Sequence, residues 1–138
     1  MNASTRGFVL AFYVLCVLAL AACSRPESVQ VIDAADLQSR IQQGAAPLIL
    51  DVRRPGEYAE GHVPGAVNIP RGDLDERLAE LGSDHDREIV VYCKSGMRAA
   101  MAEKELVDAG FTNVLDLDGH MQGWEAAGLP VEHPAGED

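Results

Sequence analysis

The chain has 138 residues, of which 11 are Lys or Arg and 22 are Asp or Glu, so its formal net charge at pH 7 is −11. A chain of this length is sufficient for one compact domain but not for two. Its acidic surface repels nucleic acid and is not attracted to anionic lipid headgroups. The net charge therefore excludes both as partners that are bound by electrostatic attraction.

The first 28 residues differ in character from the rest. Arg6 precedes an uncharged apolar run over residues 8–19, and the sequence Leu-Ala-Ala-Cys then ends at Cys23. The run is too short to span a bilayer comfortably and is typical of a secretion signal; Leu-Ala-Ala-Cys resembles the lipobox of bacterial lipoproteins. We predict a signal peptide over residues 1–22 and a lipidated tether over residues 23–28. Cys23 would then anchor the protein in the cell envelope, facing the periplasm, and an uncleaved membrane anchor is the alternative.

The first half of the remaining chain alternates between strand and helix patterns. Residues 29–32 predict a short strand, and residues 33–43 a helix that starts on a capping aspartate. The apolar run 48–52 is typical of a buried parallel strand. A single helical turn at 57–60 and a strand at 66–69, flanked by prolines, follow.

The second half continues the alternation. Leucine spacing predicts a small amphipathic helix over residues 73–81, and residues 88–92 form the most strand-like segment. The clearest helix covers residues 98–109, before a strand at 113–117 and a last helix at 121–127.

Alternating elements of this length predict an α/β domain with a mainly parallel central sheet. We place this domain at residues 29–132 and an acidic C-terminal tail at residues 133–138. No feature of the sequence demands more than a monomer.

One cysteine remains available for chemistry. If Cys16 leaves with the signal and Cys23 is lipidated, Cys93 is the only free thiol, and no intramolecular disulfide can form. The four histidines lack the paired spacing of a zinc site, and we expect no metal or other cofactor.

The segment after the fourth predicted strand combines a candidate nucleophile, Cys93, with features that bind anions. Cys93 lies at the carboxyl end of that strand, where open parallel sheets bind ligands. It precedes a helix N-terminus, whose N–H groups favour an anion. Gly96 permits a backbone in which several N–H groups point at one atom, and Lys94 and Arg98 add positive charge. This order favours a thiolate nucleophile; a structural cysteine that ends a strand is the alternative.

Three segments, taken in order, resemble the rhodanese superfamily. They are Leu50-Asp51-Val52-Arg53 through Gly61-His62-Val63-Pro64-Gly65-Ala66-Val67-Asn68-Ile69-Pro70, the 93–98 loop, and Leu117-Asp118-Gly119 through Gly123-Trp124, followed by Gly128-Leu129-Pro130-Val131. The resemblance covers about residues 29–131 and implies a five-stranded, mainly parallel sheet flanked by helices. It also implies that Cys93 accepts a sulfane sulfur as a persulfide and passes it to a nucleophile.

The length of the loop separates two branches of that superfamily. Phosphatases with this fold have Cys-x5-Arg, whereas Cys93 and Arg98 form the Cys-x4-Arg loop of sulfurtransferases. The resemblance implies attack of Cys93 on the outer sulfur of a small donor such as thiosulfate, with cyanide or a thiol as acceptor. The loop residues that would bind the donor are Lys94, Ser95, Gly96, Met97 and Arg98.

Several neighbouring residues have a structural and a functional interpretation. The resemblance implies that Asp51 helps to order the active-site region, and Arg53 could add to its positive field; a structural ion pair is the alternative for both. We interpret His62 as structural and Trp124 as a core residue. His120 stands where the family often has a second glycine, and we expect it on the surface rather than at the mouth of the site.

We therefore expect a thiosulfate sulfurtransferase of the cell envelope that acts on small-molecule donors and acceptors. The alternative is a non-catalytic or carrier module that binds a partner or shuttles persulfide. A thiol oxidoreductase is disfavoured, because Cys93 would have no second, resolving cysteine once Cys16 is removed and Cys23 is lipidated.

Overall fold

The structure is a computed structural model that describes residues 29–136. The predicted signal peptide, the tether and Cys23 lie outside the described residues. Within residues 29–136, no helix has both the length and the apolar character that a membrane crossing requires.

Five parallel strands form the central sheet. They are β1 (Val29–Ile32), β2 (Leu48–Asp51), β3 (Val67–Asn68), β4 (Ile89–Tyr92) and β5 (Val114–Leu117). Their order is β1-β5-β4-β2-β3, and every pairing is parallel. All residues of β4 and β5 are buried, as expected for strands whose two faces are both covered. The predicted α/β fold is confirmed.

Helices cover both faces of the sheet. They are α1 (Ala34–Gln42), α2 (Pro55–Ala59), α3 (Leu74–Arg77), α4 (Met97–Asp108) and α5 (His120–Ala126). One apolar core packs α3 and α4 against the sheet, and the other packs α1 and α5 against the opposite face. Trp124 is fully buried in the second core, and its Nε1–H donates a hydrogen bond to the Pro130 carbonyl at 2.8 Å. Its predicted role in the core is confirmed.

The predicted helix over residues 73–81 is wrong in part. The segment consists of a 3₁₀ turn (Arg71–Asp73), the single α-helical turn α3, and a second 3₁₀ turn (Leu78–Leu81). A 3₁₀ turn aligns residues three apart, which brings Leu81 to the same side as Leu78 and buries it completely. The other predicted elements agree with the structure to within two residues.

Because the strands are parallel, the segments that follow β2, β4 and β5 lie at the same edge of the sheet. Asp51 at the end of β2 pairs in register with Tyr92 at the end of β4. Cys93 follows β4 directly, and His120 begins α5 three residues after the end of β5. Segments that are distant in sequence therefore converge around the 93–98 loop.

Candidate active site

The thiol of Cys93 lies in a loop that folds back onto its own sulfur. The Gly96 N–H donates a hydrogen bond to the Cys93 Sγ at 3.0 Å. Gly96 makes this possible by adopting φ 120° and ψ −23°, a backbone conformation that glycine accepts far more readily than other residues. Cys93 is only 1% exposed, and it is the one free cysteine of residues 29–136.

The first turn of α5 donates hydrogen bonds to the backbone of the loop. The Met121 N–H donates to the Cys93 carbonyl at 3.0 Å, and the Gln122 N–H donates to the Lys94 carbonyl at 3.2 Å. The N–H groups in the first turn of a helix have no partner within the helix, so these loop carbonyls satisfy two of them. The loop and α5 are thereby fixed to each other.

An ion pair with α2 fixes the far end of the loop. Arg98 binds Glu57 through two hydrogen bonds, of 2.7 Å and 3.0 Å. These bonds lower the pKa of Glu57 to about 2. The hydrogen bonds that Arg98 donates to Glu57, and more weakly the nearby Cys93, raise the pKa of Arg98. Arg98 thus stays positive beside the sulfur while it is oriented by Glu57.

The remaining loop residues lie toward solvent. Lys94 and Ser95 are exposed, and Met97 is 80% exposed. The structure therefore brings Cys93, Gly96 and Arg98 together and leaves the other three predicted donor-binding residues around the outside of the loop.

Asp51 and Arg53 form a buried ion pair. Arg53 Nη2 lies 2.6 Å from Asp51 Oδ2 and also donates to the Gly61 carbonyl at 2.8 Å. Burial opposes the charge of Arg53, but the hydrogen bond and the charge of Asp51 outweigh it and raise the pKa of Arg53. Because Arg53 is only 3% exposed, the geometry favours the structural interpretation of the pair over direct contact with a donor.

Tyr92 connects this pair to the strand that carries Cys93. Its hydroxyl donates to Asp51 Oδ2 at 2.7 Å and accepts the Val63 N–H at 3.1 Å. Burial, reinforced by the charge of Asp51, raises the pKa of Tyr92, so the hydroxyl remains protonated and can donate. The network fixes the ends of β2 and β4 immediately before the loop.

The two histidines near the site occupy different places. His62 is buried, stacks on the Tyr58 ring with centroids 3.7 Å apart, and places Nδ1 2.9 Å from the Tyr58 carbonyl; its structural interpretation is confirmed. The predicted surface position of His120 is wrong. His120 is 8% exposed, and its Nδ1 accepts the Cys93 N–H at 3.3 Å.

Sequence reasoning missed two residues that support the loop. Glu57 is 41 positions from Arg98, and no spacing rule connects them. His120 carried a signal in its replacement of a glycine, but its burial depends on how α5 packs against the loop. Among residues 29–136, no group of three His, Cys, Asp or Glu side chains is placed to hold a metal ion.

Together, the loop amide and Arg98 can stabilise negative charge on the sulfur of Cys93 or on an atom bonded to it. A small anionic reactant whose reacting atom can reach this sulfur fits that arrangement.

Known proteins are similar to this chain in sequence and in fold. The model of the rhodanese-like domain family matches residues 33–127. A sulfurtransferase of Allochromatium vinosum is 35% identical over 108 residues, covering 78% of this chain and 99% of that protein. The thiosulfate sulfurtransferase PspE of Escherichia coli is 37% identical over 75 residues, covering 54% of this chain and 72% of that protein. The crystal structure of a rhodanese-related protein from Thermoplasma volcanium superposes with a TM-score of 0.65 at 34% identity, covering 75% of this chain and 97% of that chain.

Proposed function

The chain belongs to the family of rhodanese-like domains, and from this premise we propose that it is a thiosulfate sulfurtransferase that works through a persulfide on Cys93. The observation that carries the proposal is the 3.0 Å hydrogen bond from the Gly96 amide to the Cys93 sulfur. A backbone donor in this position stabilises negative charge on that sulfur without any rearrangement during the reaction.

The proposed reaction has two balanced steps. In the first, the Cys93 thiolate attacks the outer sulfur of thiosulfate; a new S–S bond forms on Cys93, and sulfite leaves with the electron pair of the broken S–S bond. In the second, cyanide or a thiolate attacks the outer sulfur of the persulfide. Thiocyanate or a new persulfide is released, and the Cys93 thiolate is regenerated.

The surroundings of Cys93 favour a small donor. Cys93 is 1% exposed, so its thiol can be reached by the terminal sulfur of a slender anion more easily than by a bulky disulfide. Arg98, held by Glu57, supplies positive charge for the sulfonate end of thiosulfate. Lys94, which is exposed, would add to this field at the entrance.

Intact-mass measurement tests the proposal. The full chain is incubated with thiosulfate beside a Cys93→Ser variant, and we expect a gain of about 32 Da on the wild type alone. Added cyanide should reverse the gain and release thiocyanate. No mass change with thiosulfate would refute the thiosulfate reaction, and a stable persulfide that yields no thiocyanate would favour a carrier over an enzyme.

We further propose that Cys23 is lipidated and anchors the domain in the cell envelope, facing the periplasm. The support is the signal-like sequence of residues 1–23. A Cys23→Ala substitution should shift the protein from the membrane fraction to the soluble fraction. Equal membrane retention of both forms would contradict the proposal.

A further inference from the structure

His120 is the first residue of α5, and it contacts the 93–98 loop at Cys93. Its Nδ1 accepts the backbone N–H of Cys93 at 3.3 Å, which is a long hydrogen bond. Its Nε2 lies 3.4 Å from Oδ1 of Asp116 on β5. The imidazole therefore bridges the strand next to β4 and the first residue of the loop.

These contacts define one form of the imidazole. A backbone amide can only donate a hydrogen bond, so Nδ1 must carry a lone pair and the proton of the neutral ring must be on Nε2. Nε2–H then faces the Asp116 carboxylate, an arrangement in which a carboxylate fixes the tautomer and orientation of a histidine. The ring is thus oriented from one side by Asp116 and presents an acceptor to Cys93 on the other.

The ring also leaves no space beside the loop glycine. A Cβ atom built on Gly96 would lie 2.8 Å from His120 Nε2, closer than real Cβ contacts. His120 itself has φ 51°, a left-handed conformation that is unfavourable for a non-glycine residue and persists where the surroundings impose it. The structure therefore keeps a histidine with left-handed backbone beside Gly96, the residue whose amide points at the Cys93 sulfur.

We propose that His120 is a positioning residue for Cys93. It holds the Cys93 N–H, and with it the start of the loop, in the orientation that directs the Gly96 amide at Sγ. The inference rests on the proposed role of Cys93 as the reacting group, but not on the identity of the sulfur donor.

Two variants separate the acceptor atom from the bulk of the ring. His120→Asn retains an acceptor at the δ position, and asparagine tolerates left-handed backbone better than most residues. His120→Gly relieves the backbone but removes the acceptor. We would measure the rate of Cys93 alkylation by iodoacetamide, the single-turnover rate of persulfide formation from thiosulfate, and the melting temperature of each full-length protein.

We expect His120→Gly to slow both reactions at least about tenfold, as displaced reacting groups do, and His120→Asn to stay within about threefold of the wild type. Such rescue by asparagine is not expected from a residue that only fills space. Unchanged rates in His120→Gly, or an equal loss in both variants, would overturn the proposal.

A spectroscopic test covers the case in which His120→Gly does not fold. The ¹⁵N spectrum of the wild-type imidazole should show an unprotonated Nδ1 and a protonated Nε2, and the opposite tautomer would overturn the proposal. If the wild type forms no persulfide but alkylation follows the expected order of variants, the thiosulfate reaction fails and the positioning role stands.

Discussion

At the scale of single residues, the orientation of Arg98 depends on one carboxylate. Glu57 binds both of its terminal nitrogens and also accepts the backbone N–H of Arg54. Glu57 therefore joins the start of α2 to the end of the active-site loop. Its side chain is 20% exposed, so the ion pair is partly shielded from solvent.

We expect Glu57→Gln to reduce the free energy of unfolding at pH 7 by about 1–2 kcal/mol. The pKa of Glu57 is lowered from 4.5 to about 2, so its charge stabilises the fold fully above pH 4.5, and this stabilisation is lost as the pH falls toward 2. The difference between wild type and variant should therefore narrow over that range. Urea unfolding at pH 7, 5 and 3 measures this difference in free energy of unfolding. Glu60 is exposed, and Glu60→Gln is the control. A difference between wild type and Glu57→Gln that does not change with pH would contradict the lowered pKa of Glu57.

The position of Gly96 in the loop does not tolerate a side chain. Its φ of 120° disfavours any other residue, and an added Cβ would collide with the His120 ring. We expect Gly96→Ala to cost about 1–3 kcal/mol of stability and to slow persulfide formation at least about tenfold. Gly72→Ala is the matched control, because nothing lies within 4 Å of its Cβ position. Equal behaviour of the two variants would refute the requirement for glycine at position 96.

At the scale of secondary-structure elements, the buried network of Asp51, Arg53 and Tyr92 joins β2 to β4. Asp51 is fully buried and Arg53 nearly so, so removal of either charge leaves the other without compensation. The network also reaches the Gly61 carbonyl and the Val63 amide, which lie in the turn before β3. Three chain segments are therefore held at the edge of the sheet from which the active-site loop emerges.

We expect Asp51→Asn to reduce the free energy of unfolding by about 3–5 kcal/mol, because Arg53 is left as an uncompensated buried charge. Tyr92→Phe removes only a hydroxyl and should cost about 1–2 kcal/mol. Urea unfolding of both variants gives the comparison. A larger loss for Tyr92→Phe than for Asp51→Asn would contradict the prediction that the uncompensated buried charge of Arg53 is the larger cost.

The elements also explain what the sequence could predict. Continuous apolar runs such as residues 89–92 indicate buried parallel strands, and the glycine and two cations after Cys93 predict an anion-binding loop. The 3₁₀ turns around α3 could not be foreseen, because leucines at positions 74, 78 and 81 also fit an uninterrupted helix. Glu57 and His120 reach the site only through packing of α2 and α5, and local spacing carries no information about such contacts.

At the scale of the whole molecule, the positive side chains of the 93–98 loop belong to a chain whose net charge is negative. The chain carries a net charge of −11, which repels an anionic donor such as thiosulfate. Arg98 is engaged with Glu57, so the two charges of that pair largely cancel at a distance. We therefore expect Lys94, which is exposed on the same loop, to offset part of the long-range repulsion.

We expect Lys94→Ala to lower kcat/KM for thiosulfate about threefold at low ionic strength and very little in 0.5 M salt, because the field of an exposed charge is screened over about 10 Å at 0.1 M and over less in stronger salt. The loss should be mainly an increase in KM, since Lys94 acts on the approach of the donor. Lys104→Ala is the control: Lys104 lies further along α4, is 70% exposed and pairs with Asp108. A loss in Lys94→Ala that is equal at all salt concentrations would instead place the ammonium group in direct contact with the bound donor.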